Sequence, residues 1–425
     1  MKKVLIISPH FPPVNAADMH RVRMSLPYFK SLGWEAEVLS VDPSYVEGFR
    51  DELLNETIPT DTIVHQIKAF PVTLTRKVGL GSLSMRCFFQ MWWKGNKLIR
   101  KNKYDLIYFS TTAFHVCWLG GHWKRKFKVP FIIDLQDPWR NDFYNDKPKE
   151  QRPPKHFLFY QIHKYLEAAT MPFVDGIISV SKGYLQMMED RYGLQTKGLP
   201  MTVIPFGAAT LDFELLKQKK INPYLVKKTT GRVNVVYVGA VTNFFLPILE
   251  AFFTVFLETV NNPSMYHFYF LGTSYVGGAA KKVENLASIL GIESLVTEMP
   301  DRIPYFQALA TLQEADILLI PGSLDVDYNA SKVYNNILSG TPIFSIFHEA
   351  SEVKKVIESF GAGIVVPLHT DDKLSDIKTA ILQRMKDFAN LHESSTSTDL
   401  FEKSNFTAFE KTKEQLTLFN KVSNS

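Results

Sequence analysis

The chain has 425 residues, of which 45% are hydrophobic and 21% charged, and its formal net charge at pH 7 is +5. This is the composition of a soluble globular protein of two or three domains. No stretch reaches the roughly 20 continuous apolar residues of a membrane span, and the first apolar run ends at Ser8-Pro9, too early for a signal peptide. Two cysteines, Cys87 and Cys117, cannot form a metal cluster by themselves and indicate a reducing compartment.

The first half of the chain alternates short apolar runs with helix-length segments. We predict buried strands at KVLIIS, EAEVLSV, DLIYFS, PFIIDLQ and DGIISVS. Helices are predicted between them, among others over 18–32 and 155–170, and Pro27 predicts a kink or an early end in the first. Such an alternation of strands and helices predicts a parallel sheet with helices on both faces.

The alternation pauses over 204–232, which contains Pro, Gly and several lysines, and then a second series begins. Its predicted strands are VNVVYVG, YHFYFLG, ADILLIP, TPIFSIF and GIVVP, again with helical segments between them. A last amphipathic segment has Phe406, Phe409, Leu416 and Phe419 near one face. The sequence therefore predicts two α/β units, divided as an N-terminal domain over 1–210, a linker over 211–230, a C-terminal domain over 231–400 and a C-terminal helix over 405–422.

The first candidate site residues follow the first predicted strand, because ligands of open parallel sheets bind beyond the carboxyl ends of the strands. His10, Asn15 and Asp18 lie on a loop that leads into a helix, and Asp18 is placed to cap that helix. The loop is either a capped and rigid Pro-Pro turn or a segment that reaches a ligand. The residues alone leave both interpretations open.

A second polar group follows the strand PFIID. Gln136 and Asp137 come directly after apolar residues, and Trp139 and Arg140 follow them. Asp137 either caps a turn before Pro138 or joins Gln136 in holding sugar hydroxyls, for which a carboxylate and an amide are suited.

The segment YNASKVYNNILSGTPIF, residues 328–344, is the most specific pattern. Ser331, Lys332 and Asn335 fall on the first turns of a predicted helix, where free N–H groups and the helix dipole suit a phosphate. Lys332 adds a positive charge, and Asn335 can donate to and accept from a diol such as a ribose. We predict a nucleoside diphosphate site here, and the alternative is an ordinary capped helix. Gly239, which ends the predicted strand VVYVG, is a weaker candidate for the same site.

Together these segments resemble the large retaining family 4 (group 1) of glycosyltransferases, which has the GT-B fold. The resemblance covers nearly the whole chain and rests on ISPHFPP, PFIIDLQDPW, DGIISVSKGY, VIPFGAATLDF, VVYVGAV and SKVYNNILSGTPIF, in the family's order. It implies an α/β fold class with two Rossmann-like domains that face each other across a cleft, and a C-terminal helix that returns to the N-domain. It also implies an acceptor site in the N-domain, a nucleotide-sugar site in the C-domain, and no metal or other cofactor.

The chain departs from the family pattern in the implied donor site. The family's Glu-x7-Glu acids correspond to Asp327 and Asn335, so an amide stands where a carboxylate usually grips the ribose. The usual Arg and Lys after the first C-domain strand are missing from GAVTNFFLPILEAF. We take Lys332, Arg302 or Arg21 as the candidates that replace this positive charge.

The resemblance also assigns roles to the candidates of the N-domain. Gln136 stands where many members of the family carry a His. We assign the catalytic roles to Asp18, Gln136 and Asp137, and we place His10, Asn15 and Arg21 on the acceptor side.

The net charge of the chain is unevenly distributed. Residues 1–210 hold 28 Lys+Arg and 19 Asp+Glu, whereas the rest of the chain holds 20 and 24. Within 85–128, ten bases and one acid are interleaved with aromatic residues that include four of the six tryptophans. This pattern is typical of a surface that faces anionic lipid, and the alternative is a core-packed helix with a basic outer face. The residues assigned to this basic aromatic surface are Arg86, Trp92, Trp93, Lys94, Lys97, Arg100 and Lys101.

The sequence thus predicts a metal-independent glycosyltransferase that moves a sugar, with retention, from a nucleotide-sugar to a glycan or lipid-linked acceptor. Its place would be the cytoplasm, at the inner face of the cell membrane where the basic aromatic surface binds. No nucleic-acid-binding motif occurs in the sequence. Two alternatives remain open: an inactive, membrane-associated scaffold with a glycosyltransferase fold, and a GT-B sugar-nucleotide epimerase.

Overall fold

A computed structural model describes residues 1–142, 145, 148–149, 152, 155–224, 231–274, 278–326, 330–394 and 396–424. The β-strands of this part of the chain are β1 (Lys2–Ile7), β2 (Trp34–Val41), β3 (Ile63–Ile67), β4 (Leu106–Ser110), β5 (Phe131–Leu135), β6 (Gly176–Ser179), β7 (Met201–Val203), β8 (Val233–Val238), β9 (Tyr266–Leu271), β10 (Val296–Met299), β11 (Ile317–Pro321), β12 (Ile343–His348) and β13 (Gly363–Leu368).

The α-helices alternate with these strands along the chain. They are α1 (Met19–Phe29), α2 (Val72–Thr75), α3 (Leu83–Lys101), α4 (Trp118–Phe127), α5 (His156–Thr170), α6 (Lys182–Thr196), α7 (Thr210–Lys219), α8 (Leu246–Thr259), α9 (Lys282–Ile289), α10 (Tyr305–Glu314), α11 (Val333–Leu338), α12 (Glu352–Ser359), α13 (Leu374–Asn390), α14 (Asp399–Glu402) and α15 (Ala408–Ser423).

The first unit is built on a seven-stranded parallel sheet in the order β3-β2-β1-β4-β5-β6-β7. Successive residues of β1 point to opposite faces, as in any strand. Val4 and Ile6 pack in one hydrophobic cluster with α1 and α15, and Leu5 and Ile7 pack in another cluster that includes α3 and α4. The sheet is therefore covered on both faces, as the alternation of elements predicted.

The second unit repeats this arrangement on a six-stranded parallel sheet in the order β10-β9-β8-β11-β12-β13. Helices α8 and α13 pack together over its hydrophobic cluster, in which Phe252, Phe256 and Phe388 are completely buried. In both sheets the order reverses next to the first strand of the unit, which is the Rossmann pattern. The predicted fold class of two Rossmann-like domains is confirmed.

The units divide the chain at positions slightly different from the predicted ones. Unit 1 comprises residues 1–206 and 408–425, and unit 2 comprises residues 207–407. The predicted linker over 211–230 is partly wrong, because α7 occupies its first half and buries Phe213 and Leu216 in unit 2. The remaining linker residues 225–230 lie outside the described residues.

The last helix belongs to the first unit, as the resemblance implied. Helix α15 packs against α1, and Leu416 and Phe419 are buried in the cluster beneath it. Helix α1 contains Pro27 and ends two residues later, at Phe29, which agrees with the early end predicted from this proline.

Candidate functional site

The candidate site of each unit lies where the strand order reverses. These positions are the carboxyl ends of β1 and β4 in the first unit and of β8 and β11 in the second. Loops from both sides diverge at such a point, so a ligand can enter between them.

Asp18 is the centre of a buried hydrogen-bonded group in the first unit. Its Oδ2 lies 2.9 Å from Nδ1 of His10 and accepts hydrogen bonds from Oγ1 of Thr111 (3.0 Å) and from N (3.0 Å) and Oγ1 (3.2 Å) of Thr112. The prediction that Asp18 caps α1 is wrong. Asp18 has helical backbone angles, φ −69° and ψ −28°, whereas a capping residue is extended.

The contacts of Asp18 favour the charged forms of both partners. Burial would raise the pKa of Asp18, but the charge and hydrogen bond of His10 and the donors of the Thr111–Thr112 loop outweigh it, and the pKa is lowered. Burial would lower the pKa of His10, but Asp18 outweighs it, and the pKa is raised. The ion pair of His10 and Asp18 lies within the loop after β1, and the hydrogen bonds from Thr111 and Thr112 join this loop to the one after β4.

A second buried carboxylate, Asp134, lies within β5. Its Oδ2 accepts hydrogen bonds from Nε2 of Gln136 (2.8 Å), Oγ of Ser110 (2.9 Å), the hydroxyl of Tyr108 (3.1 Å) and Nε of Arg21 (3.2 Å). All five side chains are buried. This polar cluster fixes the end of β5 against β4 and α1.

Two predicted site residues, Arg21 and Gln136, make their hydrogen bonds within the first unit. The guanidinium of Arg21 also donates to the main-chain oxygens of Ile204 (2.7 Å) and Pro205 (3.0 Å), so its assignment to a ligand phosphate is wrong. The Nε2 of Gln136 also lies 3.0 Å from Oγ of Ser110 and 3.3 Å from the main-chain oxygen of Asp18. We therefore assign Gln136 a positioning role.

Asp137, two residues further on, has the opposite environment. Its side chain is exposed, and no hydrogen bond joins its carboxylate to another described residue, so it does not cap the turn before Pro138. The surrounding protein atoms and the negative charge of Asp18 raise the pKa of Asp137 to about 6. A carboxylate with such a pKa can take up and release a proton near neutral pH.

The loop that carries Asp137 is anchored by charged groups. The main-chain N of Arg140 donates to Oε2 of the buried Glu167 (3.0 Å), and Arg191 donates to Oε1 of Glu167 (3.2 Å) and to Oδ2 of Asp142 (2.6 Å). These contacts hold the backbone just after Asp137. Asn15, in contrast, accepts from Nε2 of His20 (3.0 Å) and makes no contact with this group among the described residues.

Lys332 and Gly239 lie against each other in the second unit. The Nζ of Lys332 donates to the hydroxyl of Tyr237 (2.7 Å) and lies 4.3 Å from the centre of the Tyr237 ring. Gly239 has φ +141°, and a Cβ at this position would overlap Nζ of Lys332. The glycine therefore provides the space that the ammonium group occupies.

The positive charge of Lys332 is not balanced by a carboxylate in the described part of the chain. Burial and the nearby charge of Arg302 lower the pKa of Lys332 to about 7. Lys332 forms no ion pair with a described Asp or Glu. Two cationic side chains thus lie close together beyond the carboxyl end of β8, where an anion would favour the charged form of Lys332.

Asn335 has a structural role that the sequence did not reveal. Its Oδ1 accepts from the main-chain N of Ala209 (3.1 Å), just before α7, and its Nδ2 donates to the hydroxyl of Tyr305 (3.2 Å). Tyr305 in turn donates to Oδ2 of Asp212 (2.8 Å). The amide oxygen and one amide N–H of Asn335 are therefore engaged within the second unit, which leaves the second N–H and one lone pair of the oxygen for a ribose.

Ser331 and Asp327 are the remaining residues predicted for the donor site. Ser331 is exposed and precedes α11, which begins at Val333 rather than at Ser331 as predicted. Asp327 lies outside the described residues. Among those that the structure describes, no group of three or more His, Cys, Asp and Glu side chains is placed to hold a metal ion.

The basic aromatic surface is largely formed by α3. Phe89, Trp92 and Trp93 are exposed to 66%, 38% and 62%, and Lys97, Arg100 and Lys101 are exposed beside them. The inclusion of Arg86 is wrong. This side chain is buried, where it donates to main-chain oxygens of the preceding loops.

The aromatic surface also extends beyond the predicted segment. Helix α4 packs between α3 and α5, and α5 exposes Phe157 (75%), Leu158 (56%) and Tyr165 (71%). No α-helix in the described ranges is long and apolar enough to cross a membrane.

Comparison with known proteins agrees with the architecture of both units. Residues 22–210 match the family model of Glycosyltransferase Family 4. The match begins within α1 and ends at the start of α7, so the matched region contains Asp134, Gln136 and Asp137 and most of the first unit. No curated protein matches the chain by sequence.

Solved structures extend the likeness to the whole chain. A glycosyltransferase from Rickettsia africae ESF-5 has a TM-score of 0.59 at 11% identity, with 99% of this chain and 98% of that chain covered. A UDP-forming α,α-trehalose-phosphate synthase from Burkholderia xenovorans has a TM-score of 0.61 at 11% identity, with both chains fully covered. WaaG, a glycosyltransferase involved in lipopolysaccharide biosynthesis, has a TM-score of 0.54 at 13% identity, with 99% and 98% covered. At these identities the likeness shows the fold, which is GT-B.

The region that matches the family model contains functional candidates that sequence reasoning missed. Thr111 and Thr112 directly follow β4, so the rule that pointed to Gln136 would also have found them. Asp134 lies inside an apolar strand, and nothing in its neighbours along the chain signals that it has a polar environment. In the second unit, Tyr237 lies inside the apolar strand β8, and its neighbours along the chain likewise give no signal of a polar contact.

Proposed function

We propose that the chain transfers a sugar from a nucleotide-sugar donor to a glycan or lipid-linked acceptor. The observation that carries this proposal is the position of Lys332. A cation without a described carboxylate partner lies near Arg302 at the strand-order reversal of the second sheet, in a chain whose residues 22–210 match the family model of Glycosyltransferase Family 4.

The proposed chemistry requires positive charge in the second unit. When the bond between the sugar and the nucleoside diphosphate breaks, negative charge develops on the departing phosphate. In this proposal Lys332 and Arg302 would stabilise that charge, and no metal ion would be needed. They would replace the Arg and Lys that the family carries after the first C-domain strand.

The proposed acceptor chemistry belongs to the first unit. Asp137 would contact an acceptor hydroxyl, and the buried Asp18–His10 pair and Asp134 cluster would hold the surrounding loops in place. Retention of configuration is part of the proposal because of the family resemblance alone. The similar fold of a UDP-forming synthase makes UDP the first nucleotide to test, and that of a glycosyltransferase involved in lipopolysaccharide biosynthesis makes a lipid-linked glycan the first acceptor to test.

We also propose that the basic aromatic surface binds an anionic bilayer. Exposed phenylalanine and tryptophan side chains of α3 are followed along the helix by exposed Lys and Arg, and an exposed aromatic residue prefers the lipid headgroup region. Binding at this surface would bring the enzyme to a lipid-linked acceptor.

Nucleotide binding is the test of the proposed function. Calorimetry with UDP, GDP and ADP should show that at least one binds, and Lys332→Ala should weaken it by roughly 10- to 150-fold, the effect of about 1.5–3 kcal/mol for a charged hydrogen bond. Gly239→Ala should also weaken binding, because the new Cβ displaces the ammonium group. Lys378→Ala, on α13, is the matched control and should leave binding unchanged.

The result also decides between the enzyme and the inactive scaffold. If none of the three nucleotides binds to the folded protein, the glycosyltransferase proposal is wrong and the scaffold is the better interpretation. If a nucleotide binds equally well to the wild type and to Lys332→Ala, the assignment of the phosphate site to Lys332 is wrong.

A further inference from the structure

A cavity of about 570 Å³ lies at the amino end of the second sheet. Its walls include Val233 at the start of β8, Val260 at the end of α8, and several residues of α13. The whole of β8 separates Val233 from Gly239, which at about 3.3 Å per residue is roughly 20 Å. The cavity is therefore distinct from the candidate donor site at the carboxyl end.

The lining of this cavity is mostly apolar. Met385 and Tyr266 are buried at 2% and 5% exposure, whereas Met265 and Leu382 of the same lining are 45% and 53% exposed. The volume is within the range of small-molecule sites, about 300–1,000 Å³. A cavity of this size can hold the apolar part of a ligand, and the exposed apolar side chains around it could contact that part.

The cavity lining contains two basic side chains. Lys386 and His392 both line the cavity and are exposed, and neither makes an ion pair or hydrogen bond with a described residue. The lining contains no Asp or Glu. An anionic group of a ligand would therefore meet a cationic side chain and no opposing carboxylate.

We propose that this cavity binds a small amphipathic anion. The apolar part of the ligand would contact Val233, Val260 and Met385, and its carboxylate or phosphate group would contact Lys386. The proposal is independent of the sugar-transfer function, because no residue of the candidate donor site lines the cavity.

Calorimetry with octanoate and with 1-octanol tests the proposal. Both have the same apolar chain, and only octanoate carries a charge. Octanoate should bind more tightly than octanol, and Lys386→Gln should weaken octanoate by about two- to fivefold, the range for an exposed charge contact. The same substitution should leave octanol unchanged.

Two further variants complete the experiment. Lys378→Gln removes a lysine from the same helix outside the cavity and should not change octanoate binding. Ala389→Trp should fill the cavity and abolish binding of both compounds, with a melting curve to establish that it folds. The proposal is wrong if octanoate does not bind to the wild type, or if it binds Lys386→Gln as tightly as the wild type. Octanoate binding to a folded Ala389→Trp variant would equally overturn it.

Discussion

Two carboxylates three positions apart show how much the surroundings of a single residue determine its chemistry. Asp134 is completely buried and accepts four hydrogen bonds at one oxygen, so it has a structural role. Asp137 is exposed, lacks a hydrogen-bond partner among the residues described, and has a pKa of about 6. Of the two, only Asp137 is available to a substrate.

Asp137→Asn should therefore reduce sugar transfer much more than nucleotide affinity. If Asp137 exchanges a proton with the acceptor, the loss is about 10²- to 10⁴-fold. In the wild type, the transfer rate should fall as the pH drops below about 6, because the carboxylate becomes protonated. Initial transfer rates as a function of pH, with nucleotide affinity measured in parallel, check both statements.

The stability of the same variant is a control. The pKa of Asp137 is raised in the folded state, so its charge destabilises the fold increasingly between pH 3.8, its ordinary pKa, and about 6, and constantly above that. At pH 7 the neutral Asn should leave the melting temperature unchanged or slightly higher. A lower melting temperature together with lost activity would indicate a structural role for Asp137 instead.

At the scale of single elements, one face of α3 packs in the core and the opposite face carries exposed aromatic and basic side chains. Cys87, Met91 and Leu98 are buried in the first unit, and Trp93 and Lys97 are exposed, with Nζ of Lys97 5.6 Å from the centre of the Trp93 ring. The alternative of a core-packed helix with a basic outer face agrees with the structure, and the contact of this face with lipid stays a prediction. The helix packs in the core, and its outer face is basic and also aromatic.

Vesicle co-sedimentation should detect binding at this outer face. Each base near an anionic surface contributes about 1 kcal/mol, over a Debye length of about 10 Å in 0.1 M salt. Replacing Lys97, Arg100 and Lys101 by Gln should weaken binding to anionic vesicles at least about tenfold, and rising salt should weaken binding of the wild type. Trp93→Ala should lower affinity without altering the salt dependence.

The control removes the same number of charges from another part of the chain. A triple Gln variant at Lys282, Lys355 and Lys378, which are lysines of the second unit, should bind vesicles like the wild type. Equal binding of the wild type to neutral vesicles, or no binding to anionic ones, would contradict the membrane proposal and favour a soluble acceptor.

At the scale of the whole molecule, the first unit is assembled from both ends of the chain. Residues 408–425 belong to it, although the second unit, 207–407, comes between. Leu416, Phe419 and Val422 of α15 are 2%, 0% and 3% exposed in the cluster around β1 and α1. The first unit therefore lacks part of its core until the end of the chain has been synthesised.

Removal of the residues after 407 should destabilise the first unit selectively. Full burial of a large apolar side chain contributes about 1.5–3 kcal/mol, so loss of four such residues, Leu416, Leu418, Phe419 and Val422, removes roughly 6–12 kcal/mol. A domain is typically stable by only about 5–15 kcal/mol. Calorimetric melting should lose or shift the transition of the first unit, and nucleotide binding by the second unit should persist. Unchanged melting would show that α15 is dispensable.

The sequence determined the order and type of most elements. Ten apolar runs with their spacing predicted β1, β2, β4, β5, β6, β8, β9, β11, β12 and β13, because strands buried on both faces are continuously hydrophobic. It missed β3, β7 and β10. These are short strands at or near the edges of their sheets, with sequences IVHQI, MTV and VTEM, and a strand of this kind has too little apolar surface to stand out.

The sequence also placed candidate residues at the carboxyl ends of the strands, where Asp18, Asp137, Gly239 and Lys332 are found. Only the tertiary structure decided which of them have a partner. Arg21 meets Asp134 across 113 positions of the chain, and Asn335 meets Ala209 across 126. Local sequence determines backbone conformation through short-range sterics and periodicity, whereas the partner of a buried polar group depends on which distant strands become neighbours in the sheet.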